Sequence, residues 1–500
     1  MNIMKNLTYI SLLIITLALL LITACDYDTN PALPNQPPET TIANIPVVGD
    51  TLFSLVNLQW DGGDSDGYIV GYEYRYHTKY VTSGDSIHRS TWNRTEDQSL
   101  TLAFDSKDLI NLQHFEVRSV DNSGAVDPSP ASKHFYTEQA VAPVANIILP
   151  GVDSEWFALP YVTDWWQGIK IAYTASDLDG EVVEYAWAVD DGDWNWTTDT
   201  TVYVSPDYFS SLEGEHKIKV IARDNTNIES INPTEISIKL FTPSFDKRIL
   251  ILDDTFEDEF PAGNNDTDEK VDKLYADIFD VQNEDDWWDY SDKIYLKSPL
   301  PPKELLGQYK LIVWHADHRA GGSGTWHHIA ENEDYIKDYL DVGGNLILGG
   351  WRVLRSFVQS GAIPYDFPDT TFANQYLHIK RMTEPSLQLG NFIGAITTGD
   401  PRTRDTLKVD QSKLLGDFRL GGKLSDVNII SRVGAFTENL LTYDGVPGNE
   451  TFLQYYGLPV ASLYRGTSFK VVVLGFPLYF LEEESAHLAA NYILNKLDFQ

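Results

Sequence analysis

Residues 60–74 read WDGGDSDGYIVGYEY, and residues 173–187 read YTASDLDGEVVEYAW. Both stretches hold an Asp-x-Asp-Gly turn, an aliphatic pair and an aromatic residue in the same order. A second pair, FEVRSVDNSGAVDPSP at 115–130 and IKVIARDNTNIESINP at 218–233, repeats an alternating stretch that ends in an Asp-Asn turn. Alternation with period two is typical of half-buried strands. The repeat therefore predicts two tandem β-sandwiches, at 41–139 and 140–243.

The two Asp-x-Asp-Gly turns offer paired carboxylates at Asp64 and Asp66, and at Asp177 and Asp179. Such oxygen-rich clusters suit calcium, which takes carboxylate and carbonyl ligands. However, the glycine stands at position 4 here, whereas the EF-hand loop has it at position 6. Aspartate and glycine also supply the backbone geometry of a hairpin turn, so we expect turns and keep calcium as the alternative.

The hydrophobic pattern changes after residue 243, where continuous apolar runs replace alternation. The runs are Arg248–Leu252, Lys310–Trp314, Asn345–Leu348 and Lys470–Leu474, with helical patterns at Asp334–Leu340 and Glu482–Leu497. Continuous apolar runs are typical of strands buried on both faces of a parallel sheet. The predicted fold is therefore multidomain: two all-β sandwiches, then an α/β doubly wound, mostly parallel sheet over 246–500.

Each part of this architecture resembles a known family. The repeats resemble the immunoglobulin-like and fibronectin type III-like modules of bacterial surface proteins. In the last domain, Tyr335-x3-Tyr339-Leu340-x2-Gly343-Gly344-x-Leu346-x-Leu348 and the run VVVLGFP at 471–477 resemble the class I glutamine amidotransferase-like superfamily, which has flavodoxin-like sheets. That resemblance implies a catalytic cysteine on a strand-to-helix elbow.

The corresponding elbow in this chain, Leu348–Arg352, has neither cysteine nor serine at its tip. Ser356 lies a turn further along, and the single cysteine of the chain is Cys25. The resemblance therefore implies an amidotransferase-like domain that lacks the catalytic cysteine, and we expect no thiol chemistry there. A long stretch at 360–460 has no counterpart in the resemblance, and we interpret it as an insertion that covers the crevice of the sheet.

The amino-terminal residues predict the cellular location. An apolar stretch from Leu7 to Ile22 follows Lys5 and ends in Ile22-Thr23-Ala24-Cys25. It is shorter than the roughly 20 residues that span a membrane and fits a signal peptide. Small residues before a cysteine resemble the lipobox of bacterial lipoproteins.

The lipobox resemblance implies a signal peptide over 1–24, acylation of Cys25 and a tether over 25–40. An ordinary secretory signal or an anchor helix is the alternative. We expect a lipid-anchored, extracytoplasmic protein of the cell envelope, with the outer membrane favoured over the inner one.

Charge and motifs exclude several partners. The formal net charge is -36, and a field this negative repels phosphate backbones, which argues against nucleic-acid binding. The chain has neither G-x-G-x-x-G nor G-x-x-x-x-G-K, so nucleotide binding is not expected.

Histidines and carboxylates cluster at 314–334, which read WHADHRAGGSGTWHHIAENED. The segment follows a predicted strand, and in doubly wound sheets the ligand crevice lies at the carboxyl ends of the strands. The candidate crevice residues are Asp253, Asp254, His315, Asp317, His318, Trp351 and Arg352. Imidazoles with carboxylates also suit zinc or another divalent transition metal. The candidate metal ligands are His315, Asp317, His318, His327 and His328. A polar loop with solvated histidines is the alternative.

Paired tryptophans add a further signal, since exposed aromatic faces suit sugar rings or protein partners. They include Trp165–Trp166 and Trp287–Trp288. The predicted function is non-catalytic recognition of a glycan or protein by the C-terminal domain, presented on sandwich spacers and without a required cofactor. The alternatives are a metal-dependent hydrolase that uses residues 315–334 and a structural envelope component.

Overall fold

The computed structural model describes residues 34–43, 51–152, 154–255, 267–289, 300–319, 326–358, 361–385, 392–414, 424–448 and 454–499. The predicted signal peptide and Cys25 lie outside these residues. Within them, no helix combines the length and apolar character needed to cross a membrane. The chain divides into two compact units, one of residues 1–144, 176–183 and 222–231, and one of the remaining residues.

The first repeat folds into eight strands. They are β1 (Glu39–Ile42), β2 (Thr51–Leu52), β3 (Leu55–Gly63), β4 (Ile69–Tyr80), β5 (Ser86–Thr95), β6 (Ser99–Ala103), β7 (Ile110–Asp121) and β8 (Ala131–Glu138). One sheet has the order β1-β3-β6, and the other has the order β2-β8-β7-β4-β5. Side chains from both sheets, including Trp60 and Phe115, form one buried core. This arrangement is a β-sandwich, as the alternating sequence predicts.

The second repeat also folds into eight strands. They are β9 (Val144–Leu149), β10 (Ser154–Phe157), β11 (Ile169–Ser176), β12 (Val182–Val189), β13 (Asn195–Thr197), β14 (Thr201–Val204), β15 (Gly214–Asp224) and β16 (Thr234–Phe241). Its sheets have the orders β14-β11-β9 and β10-β16-β15-β12-β13. Each strand takes the place of the strand eight positions earlier, so the sequence repeat is a repeat of topology as well.

In the described residues after 243, the chain forms twelve strands and five α-helices. The strands are β17 (Lys247–Asp253), β18 (Trp287–Asp289), β19 (Tyr309–Ala316), β20 (Asn345–Gly350), β21 (Tyr365–Asp366), β22 (Ile379–Thr383), β23 (Phe392–Thr397), β24 (Thr406–Lys408), β25 (Ile429–Arg432), β26 (Thr437–Gly445), β27 (Pro459–Arg465) and β28 (Lys470–Leu474). The helices are α1 (Asp268–Phe279), α2 (Lys303–Leu306), α3 (Glu333–Asp341), α4 (Phe372–Gln375) and α5 (Glu483–Leu497).

Nine of these strands form one mixed sheet in the order β18-β17-β19-β20-β28-β27-β26-β23-β24. The first five are parallel to one another, and the pairings from β28 to β24 are antiparallel. The sheet therefore differs from the mostly parallel one that the sequence predicts. Much of the stretch at 360–460 forms its antiparallel half, because Phe392 and Tyr443 bury their side chains in the core that also holds Val313.

Candidate functional site

The carboxyl ends of the parallel strands bring the predicted crevice residues together. Asp253 ends β17 and is the register partner of His315 on β19. His315 Nδ1 lies 3.4 Å from Asp253 Oδ1, and both side chains are fully buried. Asp254, Asp317 and His318 are buried as well. These residues therefore form an internal polar cluster, and none of them faces an open crevice.

Asp254 holds the loop that carries the second histidine pair. Its Oδ2 accepts the backbone N–H of His328 at 2.7 Å and the indole N–H of Trp314 at 3.1 Å, while Oδ1 accepts Nδ1–H of His328. Burial lowers the pKa of His328, but the hydrogen bond and charge of Asp254, together with the charge of Glu331, raise it overall. A carboxylate that holds Nδ1–H of a histidine fixes the tautomer and the direction of the ring.

Asp317 is bound from two other elements. Its Oδ1 accepts the hydroxyl of Tyr275 on α1, and its Oδ2 accepts the backbone N–H of Tyr479, each at 2.9 Å. Burial raises the pKa of Asp317 to about 7, because ionising a carboxyl away from water is costly. The side chain thus links α1 to the segment that follows β28.

Burial also keeps three histidines neutral. It lowers the pKa of His315 to about 3 and that of His327 to about 4, and it lowers the pKa of His318 in the same direction. The rings of His318 and His327 meet edge to face at 4.6 Å. The rings of His315, His318 and His327 are therefore not solvated, because each is buried in the protein interior.

The predicted elbow has a structural role in this sheet. Arg352 has φ +63°, and its guanidinium is paired at 3.3 Å with Glu384, so its charge is already balanced. Trp351 donates its indole N–H to the carbonyl of Ser425 at 2.8 Å. The hydroxyl of Ser356 accepts the backbone N–H of His327 at 3.2 Å. The elbow therefore fastens the segments beside β22 and β25, which belong to the three-stranded sheet β21-β22-β25, to the end of β20.

A second carboxylate cluster adjoins His315. Asp253 meets Asp268 and Asp272 of α1, and one oxygen from each lies within 4.8 Å of the others. Burial, followed by the charges of Asp268 and Asp272, raises the pKa of Asp253 well above its ordinary value. Among the described residues this is the single group of three such side chains whose ligand atoms already lie this close together. The predicted ligands at 315–328 have other partners in this structure: Asp254 holds His328, while Tyr275 and Tyr479 hold Asp317, and metal binding by this set remains a prediction.

Sequence reasoning missed Asp268 and Asp272, although a signal was present. Residues four apart lie on one face of a helix, so Asp268 and Asp272 point the same way from α1. The sequence does not show that this face meets the end of β17.

An aromatic cleft of about 620 Å³ lies where the second sandwich meets α3. Its aromatic lining consists of Trp156, Phe157, Trp165, Trp166, Tyr203 and Tyr376. Trp165 packs against Tyr376 with ring centroids 5.5 Å apart and edge to face against Phe469 at 4.8 Å. Tyr203 is 53% exposed. The packed rings of Trp165 and Tyr376 thus form one side of the cleft, and the ring of Tyr203 beside them is open to solvent.

Charged groups also line this cleft. They are Lys170, Asp334, Lys337, Asp338 and Asp341. Tyr376 donates its hydroxyl to Asp341 at 2.9 Å, and burial raises the pKa of Asp341 to about 7. Lys303 forms an ion pair with Asp338 and donates its backbone N–H to Glu155 at 2.7 Å. These bonds fasten β10 of the second sandwich to α2 and α3 and fix the two walls of the cleft.

The Asp-x-Asp-Gly turns bind the chain segments that lead into the two sandwiches. Asp66 accepts the backbone N–H of Gln36 at 3.1 Å, and Asp179 accepts that of Val141 at the same distance. Each aspartate thus binds the chain where it enters a sandwich. This bonding gives the turns a structural role that needs no ion, while calcium binding remains a prediction.

No family model matches the chain, and no curated protein sequence matches it either. Among solved structures, the fibronectin(III)-like modules of Clostridium thermocellum CbhA share 19% identity over 41% of this chain and 95% of theirs, with a TM-score of 0.19. A bacterial ice-binding adhesin shares 10% identity over 44% of this chain and 73% of its own, with a TM-score of 0.17. Drosophila N-cadherin EC1-3 shares 16% identity over 42% of this chain and 68% of its own, with a TM-score of 0.15. The sandwich assignment stands on the sheets themselves.

Proposed function

We propose that this protein is a non-catalytic recognition protein of the cell envelope that binds a carbohydrate in the aromatic cleft. The open face of Tyr203 beside the packed Trp165 is the observation that carries the proposal. Sugar rings present an apolar C–H face to an aromatic ring and hydroxyls to polar groups. The cleft offers both kinds of surface, and its volume lies in the range of about 300–1,000 Å³ that small-molecule sites have.

The charges of the cleft favour a particular ligand class. Asp334, Asp338 and Asp341 accept hydrogen bonds, whereas Lys170 and Lys337 donate them. The strong negative charge of the whole chain disfavours anionic ligands. The proposed ligand is therefore a neutral or amino-substituted oligosaccharide.

The remaining parts of the chain would present this cleft to the exterior. Cys25 would be acylated and anchor the protein, preferentially in the outer membrane. The tether and the first sandwich would act as spacers. A protein ligand at the same cleft is the alternative partner, and a purely structural role would require no ligand at all.

The test is titration of the full mature chain with neutral and amino-sugar oligosaccharides, followed by calorimetry and tryptophan fluorescence. Tyr203→Ala should weaken binding at least about tenfold, which corresponds to about 1.4 kcal/mol. The matched control is Tyr161→Ala, which removes a tyrosine that is 68% exposed and does not line the cleft. Equal affinities for the two variants, or no binding of any oligosaccharide, would refute the proposal.

A metal-dependent hydrolase is the second candidate, favoured by the cluster of Asp253, Asp268 and Asp272 beside the buried His315. These side chains would hold a divalent cation, which lowers the pKa of a bound water and so supplies a nucleophile. Elemental analysis of the protein before and after dialysis against chelator tests it. Loss of a stoichiometric ion in Asp272→Asn would support this candidate, and an ion content unchanged by that substitution would exclude it.

A further inference from the structure

Four histidines occupy one cross-strand row of the first sandwich. Direct register pairs join His134 on β8 to His114 on β7, His114 to His77 on β4, and His77 to His88 on β5. These are four of the eleven histidines of the chain. Because the four strands are consecutive neighbours in the sheet, one line perpendicular to them crosses all four residues.

The row lies on the face of the sheet that points away from the sandwich core. Phe115 and Phe135, the chain neighbours of His114 and His134, are buried in that core. Successive residues of a strand point to opposite faces, so the side chains of His114 and His134 point outward, and that of their register partner His77 does so as well. His134 is exposed, and His77 and His114 are half-buried.

The rings are close enough to act together. The imidazoles of His114 and His134 stack with centroids 4.1 Å apart and an interplanar angle of 3°, while His77 meets His114 at 6.0 Å with an angle of 85°. Zinc–nitrogen bonds of about 2.0–2.1 Å place two nitrogens of a tetrahedral site about 3.4 Å apart. Rotation about the broad Cβ–Cγ torsion of histidine can turn neighbouring rings toward a shared ion.

The chemistry of the row selects a class of ion. We propose that His77, His114 and His134 form a surface site for a divalent transition-metal ion of the zinc, copper or nickel class. Imidazole suits these ions, whereas calcium and magnesium prefer oxygen ligands. The site is separate from the aromatic cleft and from the carboxylate cluster of the α/β domain.

The test is calorimetric titration of the chelator-treated full chain with Zn²⁺, using Ca²⁺ as a comparison ion. We expect one Zn²⁺ binding step that Ca²⁺ does not reproduce, which His114→Gln abolishes and His134→Gln weakens at least about tenfold. His487→Gln, on α5, is the matched control and should leave this step unchanged. Asp272→Asn should leave it unchanged as well, which separates this site from the carboxylate cluster.

Visible absorption of bound Co²⁺ gives a second measurement, because the intensity of its d–d bands distinguishes a four-coordinate protein site from the six-coordinate hydrated ion. His134 is exposed, so His134→Gln should fold even where His114→Gln does not. A Zn²⁺ isotherm that is the same in the wild type and in His134→Gln, or an absent Zn²⁺ step, would overturn the proposal.

Discussion

Replacement of Asp317 by asparagine should remove a defined pH dependence from the stability of the α/β domain. Burial raises the pKa of Asp317 from 3.8 to about 7, and hydrogen bonds from Tyr479 N–H and Tyr275 and the charge of Lys413 only partly oppose it. The unfolded chain keeps the ordinary pKa, so between these values the folded state retains a proton that the unfolded state has released. The folded state is therefore penalised progressively as the pH rises from about 4 to about 7.

The size of the effect follows from the two pKa values of Asp317. Their difference corresponds to about 4 kcal/mol, of which about 3 kcal/mol falls between pH 5 and pH 8. Asparagine does not ionise and has one acceptor oxygen for the two donors that Asp317 binds, so its Nδ2 must face either Tyr275 Oη or Tyr479 N–H, at a cost of about 1–3 kcal/mol at every pH. The variant should thus be less stable than the wild type at pH 5 and equal to it, or up to about 2 kcal/mol more stable, at pH 8.

The assay is urea unfolding followed by far-UV circular dichroism at both pH values. Asp334→Asn serves as the control, because the Asp334 side chain is 95% exposed and should leave the pH dependence of the wild type intact. If Asp317→Asn loses as much stability between pH 5 and pH 8 as the wild type does, the burial argument is wrong.

Two further substitutions test a buried hydrogen-bond acceptor and a close backbone contact in the same part of the chain, each by urea unfolding. Asp254→Ala removes the acceptor of the Trp314 indole N–H and of the His328 backbone N–H, and should lower the free energy of unfolding by about 3 kcal/mol. A urea midpoint equal to that of the wild type would show that water replaces the carboxylate. Gly475→Ala places a Cβ 2.2 Å from the carbonyl oxygen of Asn428 and should destabilise by about 1–3 kcal/mol or more. Gly63→Ala meets no atom within 4 Å and should change stability by less than about 1 kcal/mol, so equal effects of the two glycine variants would contradict the steric argument.

Local patterns in the sequence sufficed for much of the fold. The alternation at 115–130 and at 218–233 predicts strands, and β7 and β15 form there. Likewise, Asp253 and His315 were expected near each other because parallel strands end at one edge, and their side chains lie 3.4 Å apart. These features depend on periodicity and chain direction, which a sequence displays directly.

Features that depend on pairing between distant segments could not be predicted in this way. The histidine row exists only because the register aligns His77 with His114 and His134, and no local pattern specifies register across separate strands. The burial of His318 and His327 likewise depends on how residues 326–331 fold over the sheet. The antiparallel half was missed because strand direction depends on which segments pair, and no local pattern in the sequence specifies that pairing.

The strand order of the sandwiches has a mechanical consequence. In each sandwich a short strand near its amino end runs parallel to its last strand: β2 pairs with β8, and β10 pairs with β16. A force that pulls the two ends of such a module apart acts along these strands, so it loads their hydrogen bonds in shear and all at once. Antiparallel neighbours pulled from one end would instead unzip bond by bond. Either module is therefore suited to bearing tension along the chain.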